Sequence, residues 1–125
     1  MKKIVRTSNA PAPIGPYNQA VQFGELVFVS GQIALDAESG ALIQGSIEEE
    51  THKVMQNLKA VLEAADSSLD NVIKSSIFVS DMGMFNRINS VYAEYFTGEH
   101  PARETVEVAG LPKGVNVEIS VIAHR

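Results

Sequence analysis

The chain has 125 residues, a net charge of −5 and no cysteine, enough length for one domain spanning residues 1–125 with a single core. Without cysteine there is no disulfide framework, thiolate nucleophile or cysteine-type zinc site, and the acidic balance gives no general field for polyanions such as nucleic acid. No apolar run approaches the roughly 20 residues of a membrane span, and the N-terminal "MKKIVRTSNAPAP" lacks the apolar stretch of a secretory signal, so a cytoplasmic location is expected.

In chain order, "APAPIGPYNQ" holds three of the five prolines and predicts an extended loop that presents Tyr17 before a strand begins. The segment "NQAVQFGELVFVSGQIAL" predicts a hairpin turning at Gly24 and Glu25. Val27, Val29 and Ile33 would share one face, and Leu26, Phe28 and Ser30 the other. Residues 46–65 form the clearest helix. Ser46 and Glu49 have capping-box spacing, Ile47, Val54, Met55, Leu58, Val61, Leu62 and Ala65 make an apolar stripe, and Glu48, Glu50, His52, Lys53, Lys59 and Glu63 fall on the wet side. "NVIKSSIFVS" predicts a β-branched strand. "MFNRINSVYAEYF" predicts a second amphipathic helix, whose aromatic stripe reads as core and whose stop is Gly98. Strands from Arg103 to Val108 and from Val115 to His124 close the chain.

This order predicts an α+β fold, a mixed sheet with two helices packed on one face. The other face would mix apolar residues with Ser30, Ser76, Asn116 and Ser120, too apolar for water and too polar for a dry core. Burial in a closed homo-oligomer is the expected solution. In the last strand Val117, Ile119 and Val121 point one way and Glu118 the other. Arg103, Thr105 and Glu107 share a face of the strand before it. If those two strands form a hairpin across residues 109–114, Arg103 and Glu118 need not be directly opposite. Residue pattern alone leaves two readings open: an exposed arginine and a solvated glutamate, or an anion clamp beside a carboxylate that handles water.

Other constellations are weak. His52, His100 and His124 have no metal-ligand spacing, and Glu48 with His52 reads as a helix-surface pair, so no metal or other cofactor is expected. Ser30 in "FVSGQ" lacks the first glycine of a nucleophile elbow, which favours a packed or substrate-contacting hydroxyl.

"IGPY" at 14–17, "VSGQI" at 29–33, "FNRINSVYAEYF" at 85–96, "PARETVEV" at 101–108 and "VEI" at 117–119 together resemble the RidA (YjgF/YER057c/UK114) family of enamine/imine deaminases, in order and across nearly the whole chain. The resemblance implies a chorismate-mutase-like homotrimer, sheets inward and helices outward, with active sites between subunits. It implies hydrolysis of 2-iminobutanoate and 2-iminopropanoate, or enamines such as 2-aminoacrylate, to 2-oxo acids and ammonia. These reactive species are released by pyridoxal-phosphate dehydratases acting on serine and threonine, so the implied role is detoxification. Arg103 would hold the substrate carboxylate and Glu118 would orient the attacking water. Tyr17 and Asn89 would line the cleft, and Ser30 and Gly31 would shape its floor. Thr105 stands where many relatives have cysteine, and its carbonyl would help hold the water. Glu104 replaces a usually small residue and is expected to point away from Arg103, bearing on substrate preference rather than on catalysis. Two alternatives accompany this reading. One is a non-catalytic trimeric regulatory module that binds small carboxylates and regulates a partner. The other is a ribonuclease or translation inhibitor, which the acidic charge and the absence of a basic-aromatic patch count against.

Overall fold

The computed structural model describes residues 1–125. Eight regular elements run β1 (Lys3–Val5), β2 (Ala20–Phe23), β3 (Leu26–Gln32), α1 (Ile47–Ala64), β4 (Val72–Val79), α2 (Phe85–Ala93), β5 (Ala102–Glu107) and β6 (Val117–His124). They build one six-stranded sheet in the order β1-β2-β3-β6-β4-β5, antiparallel except for the parallel pair β4 and β5. The fold is mixed α+β, as the order of elements predicts.

The hairpin of β2 and β3 turns where expected, with Gly24 at φ +59°, a conformation glycine adopts without steric cost. Val27 and Val29 are buried and Leu26 and Phe28 exposed. The register slips at Ser30 and Gly31, an irregularity of the bulge type that re-aims the backbone. Beyond it Ile33 leaves the main core and joins a small cluster with Leu35 and Val115.

The apolar stripe of α1 enters the core, with Val54, Met55, Leu58, Val61 and Leu62 fully buried. Ser46 caps the helix by accepting the Glu49 N–H at 3.1 Å, which satisfies one of the orphan donors of the first turn. The wet face needs one correction. Glu50 is 4% exposed, because its carboxylate accepts the Asn116 and Val117 N–H groups and the Asn116 side-chain amide. Asn116 accordingly turns toward α1 rather than sharing the side of Glu118; it precedes the strand, and alternation does not extend to it. The second helix is shorter than its pattern predicts. It ends at Ala93, and three-residue hydrogen bonds from Tyr95 to Tyr92 and from Phe96 to Ala93 tighten the chain beyond it.

Arg87 of α2 grips Glu48 of α1 through two 2.7 Å hydrogen bonds, and the guanidinium holds the Glu48 carboxyl down from 4.5 to about 2. Both groups are exposed, so the pair adds little. Its sign is defined: a depressed acid stabilises above its unfolded value and loses that contribution as pH falls through the folded one. The melting-temperature difference between wild type and Arg87→Ala is therefore expected to shrink from about pH 4.5 downward and to vanish near pH 2. Thermal melts across that range check it; an equal difference at pH 2 and pH 7 would contradict it.

The last two strands do not form a hairpin. β6 inserts between β3 and β4, and β5 pairs with the far side of β4. Both helices pack on one sheet face. The other face carries Val21, Phe28, Ile122, Phe78 and Val106 around Ser76, Ser120, Lys74 and Glu104, with Phe28 and Val106 exposed at 43% and 45%. Glu104 lies on this open face, pairing with Lys74 at 3.2 Å and accepting from Ser76. It points away from Arg103.

Candidate functional site: two half-sites on opposite sheet faces

Strand alternation decides where the two charged candidates go. Arg103 pairs in register with Ser75, a fully buried residue whose hydroxyl accepts from Tyr92 of α2, so Arg103 lies on the helix-bearing face. Its Nη1 donates to Asn89 Oδ1 at 2.6 Å. Its Cζ lies 5.4 Å from the Phe85 ring centroid and 5.2 Å from that of Tyr92, distances at which aromatic faces attract a guanidinium. One donor of the fork is engaged and the others remain for an anion. Together with Asn89, Tyr92, Ala93, His100 and Pro101, Arg103 lines a recess of about 390 Å³. Tyr92 is pushed above its ordinary value by burial, which keeps it a neutral hydroxyl.

Glu118 sits between Val117 and Ile119, both fully buried toward the helices, and so emerges on the opposite face. There it lines a pocket of about 40 Å³ with Tyr17, Gly31, Pro11, Ala12, Pro112 and neighbouring residues. That volume admits about three water molecules at most, which need about 10–15 Å³ each on this measure, and is too small for an organic acid. Burial holds the Glu118 carboxyl above the ordinary 4.5. The Tyr17 hydroxyl accepts from the Ile14 N–H at 3.3 Å and curls the proline-rich loop over this pocket.

Gly31 explains how the carboxylate fits. A Cβ added there would lie 2.8 Å from Glu118 Cδ and 2.9 Å from Oε2, closer than real Cβ atoms approach, so the glycine makes room for the acid. Gly31→Ala is expected to expel the carboxylate from the pocket, and its titration midpoint should fall toward 4.5. An unchanged midpoint by carboxyl NMR would show that Gly31 does not set its place.

The chain thus gathers Tyr17, Gly31 and Glu118 at one place and Arg103 with Asn89 at another. The Ser30 hydroxyl donates to the Asn18 carbonyl at 2.6 Å, anchoring strand to loop. Thr105 shares the Arg103 face, and its Oγ1 is buried with no hydrogen-bond partner. Sequence reasoning missed Tyr92 and His100 as lining of the arginine recess and Phe85 as a ring beside its guanidinium. The spacing of Phe85, Asn89 and Tyr92, four and then three residues apart, puts them on one side of α2 and was the available signal. No group of three or more His, Asp or Glu side chains is placed to hold a metal ion, and no helix is long and apolar enough to cross a membrane.

The chain is thus an α+β protein of two helices on a six-stranded sheet, with an arginine recess on one face and a glutamate pocket on the other. Comparison with known proteins gives the family. The profile of the Endoribonuclease L-PSP family matches residues 7–125, and the chain belongs to that family, also known as YjgF/RidA. It is 48% identical over 125 residues to a RutC family protein of Pyrococcus horikoshii, covering 100% of this chain and 99% of that one. It is 43% identical over 123 residues to the mouse 2-iminobutanoate/2-iminopropanoate deaminase, covering 98% and 91%. The structure superposes on that of Escherichia coli TdcF with bound serine at a TM-score of 0.92 and 38% identity, covering 98% of each chain.

Proposed function

We propose that the protein is a 2-imino acid deaminase, hydrolysing 2-iminobutanoate, 2-iminopropanoate and the related enamine 2-aminoacrylate to 2-oxo acids and ammonia, and that it works as a homotrimer. The observation carrying this reading is an arginine with free donors and a water-sized pocket with a half-buried acid, on opposite faces of one sheet. A cyclic assembly through the open face would bring the Arg103 half of one protomer to the Glu118 half of the next. The apolar residues of that face supply a reason to assemble. The names of the mammalian relatives support the substrate class, and serine bound to TdcF supports a small carboxylate ligand.

In this reading Arg103 binds the carboxylate through its planar fork while Asn89 and the flanking rings fix its orientation. Tyr17 and the Gly31 backbone close the cleft. Glu118, ionised, accepts a proton from the pocket water as the water oxygen attacks the iminium carbon. The C–O bond forms and the C=N π pair moves to nitrogen. Glu118 then returns the proton to that nitrogen and accepts the carbinol proton, and as the C=O bond forms the C–N bond breaks, releasing ammonia and leaving the 2-oxo acid. An iminium carbon is already electrophilic, so positioning and one proton transfer are the protein's contribution. The test is to add the purified protein to a threonine dehydratase reaction and to follow trapping of the imine by semicarbazide. Trapped imine is expected to fall sharply; unchanged trapping would refute the activity.

A further inference from the structure

Among the buried polar side chains that the proposed chemistry does not use are Gln19, Asn57 and Glu50, exposed by 3%, 1% and 4%. Each one fastens backbone rather than pairing with another side chain of the core. The Gln19 amide accepts from the Thr7 N–H and donates to the carbonyls of Thr7, Ala10 and Pro11 at 2.9–3.2 Å. Asn57 of α1 donates to the carbonyls of Ile33 and Leu35, both at 3.0 Å. Glu50, two turns earlier on the same helix, accepts the N–H groups of Asn116 and Val117. The segments they hold are the walls of the glutamate pocket. Pro11 and Ala12 form one wall, Ile33 and Leu35 a second, and the third is the start of β6, where Glu118 follows Val117 directly.

We propose that Gln19, Asn57 and Glu50 are positioning residues that together set the shape of the Tyr17–Gly31–Glu118 pocket and fix the Glu118 carboxylate within it. This rests on the reading of Glu118 as the group that handles water. Two of the three walls are irregular backbone, and the third lies where a loop runs into β6. Residues 7–12 lie outside any strand, residues 33–35 follow the bulge, and residues 115–116 precede β6. Such segments lack a ladder to hold them, and buried carbonyls or N–H groups in them require partners. A pocket matched to a few waters tolerates little drift of its walls, since a shift of even an ångström admits further solvent to the acid. Two of the three clasps project from α1, the most deeply buried helix, so the pocket is referenced to the core rather than to the surface.

The test uses Asn57→Leu and Gln19→Met, which keep size and lose the hydrogen bonds, beside Leu62→Ala, a core variant on α1 away from the pocket that loses stability for unrelated reasons. The Glu118 carboxyl is titrated by NMR with labelled glutamate, its signal assigned from its absence in Glu118→Gln. In wild type and Leu62→Ala the midpoint is expected above the ordinary carboxylate range; in both clasp variants it should move back toward it. Turnover of the clasp variants should fall by about tenfold or more while affinity for 2-oxobutanoate stays within about twofold, the split that separates placement of the acid from binding of the anion. Clasp variants that titrate and turn over like Leu62→Ala would overturn the proposal, leaving Gln19 and Asn57 as stabilisers only. If Glu118→Gln turns over at the wild-type rate, the catalytic reading of Glu118 falls, and the titration alone then decides for or against the clasps.

Discussion

Glu118→Gln is expected to abolish imine hydrolysis while leaving the affinity for a product such as 2-oxobutanoate almost unchanged. Glutamine keeps the shape that Gly31 makes room for, and keeps hydrogen-bonding capacity, but it cannot accept a proton from water at neutral pH. General-base contributions of this kind are typically about 10²–10⁴ in rate. The pH profile gives a second reading. Burial raises the Glu118 carboxyl above 4.5, so the acid is protonated, and unable to act as base, below a pH higher than that of a free carboxylate. Activity should rise through that point on going to neutral pH, and this limb should be missing from whatever residual rate the glutamine variant retains. Product binding by calorimetry beside imine-hydrolysis rates checks the separation. A glutamine variant at wild-type rate would reduce the protein to a module that binds small carboxylates.

Arg103→Lys is expected to fail in the other way, losing binding and turnover together. The lysine keeps a positive charge, but it is a point charge without the fork that matches a carboxylate, and it loses the flat contact with Phe85 and Tyr92. Part of a charged hydrogen-bond pair at about 1.5–3 kcal/mol corresponds to about ten- to a hundredfold in affinity. The two variants also test the division of the site. Each alone should be strongly impaired, yet every mixed trimer of the two, refolded together in equal amounts, should regain one of its three sites, where an intact arginine meets an intact glutamate from its neighbour. Absence of any recovery in verified mixed trimers would place both groups in a single protomer's site.

Much of this fold was readable because the elements follow simple periods. The stripe of α1, the alternation in β6 and the glycine turn of the hairpin are local, and each one reappears in the structure. The position of β6 was not readable in this way. Whether a final strand pairs with its predecessor or slips between two earlier ones is a choice among long-range pairings with the same local pattern, and the parallel pairing of β5 with β4 settles it. That choice keeps Arg103 and Glu118 apart in one chain. Glu50 was misplaced on the wet face for a related reason: a charged residue at a helix surface is usually solvated, and the N–H groups that take it inside come from residues 66 and 67 positions away. Asn57 and Gln19 carry no spacing signature, since their partners are carbonyls that every residue possesses.

The chain contains three tyrosines and no tryptophan. Its near-ultraviolet emission therefore comes from tyrosine alone, with no indole to accept the excitation. Tyr17 is 45% exposed at the glutamate pocket, Tyr92 lies under the Arg103 guanidinium, and Tyr95 meets His52 through a 2.8 Å hydrogen bond on the outer surface. Two of the three emitters thus stand at the two half-sites, where an arriving anion or an arriving neighbour changes the polarity and quenching around the ring. The protein carries its own optical reporter of occupancy and assembly, readable without label or substitution.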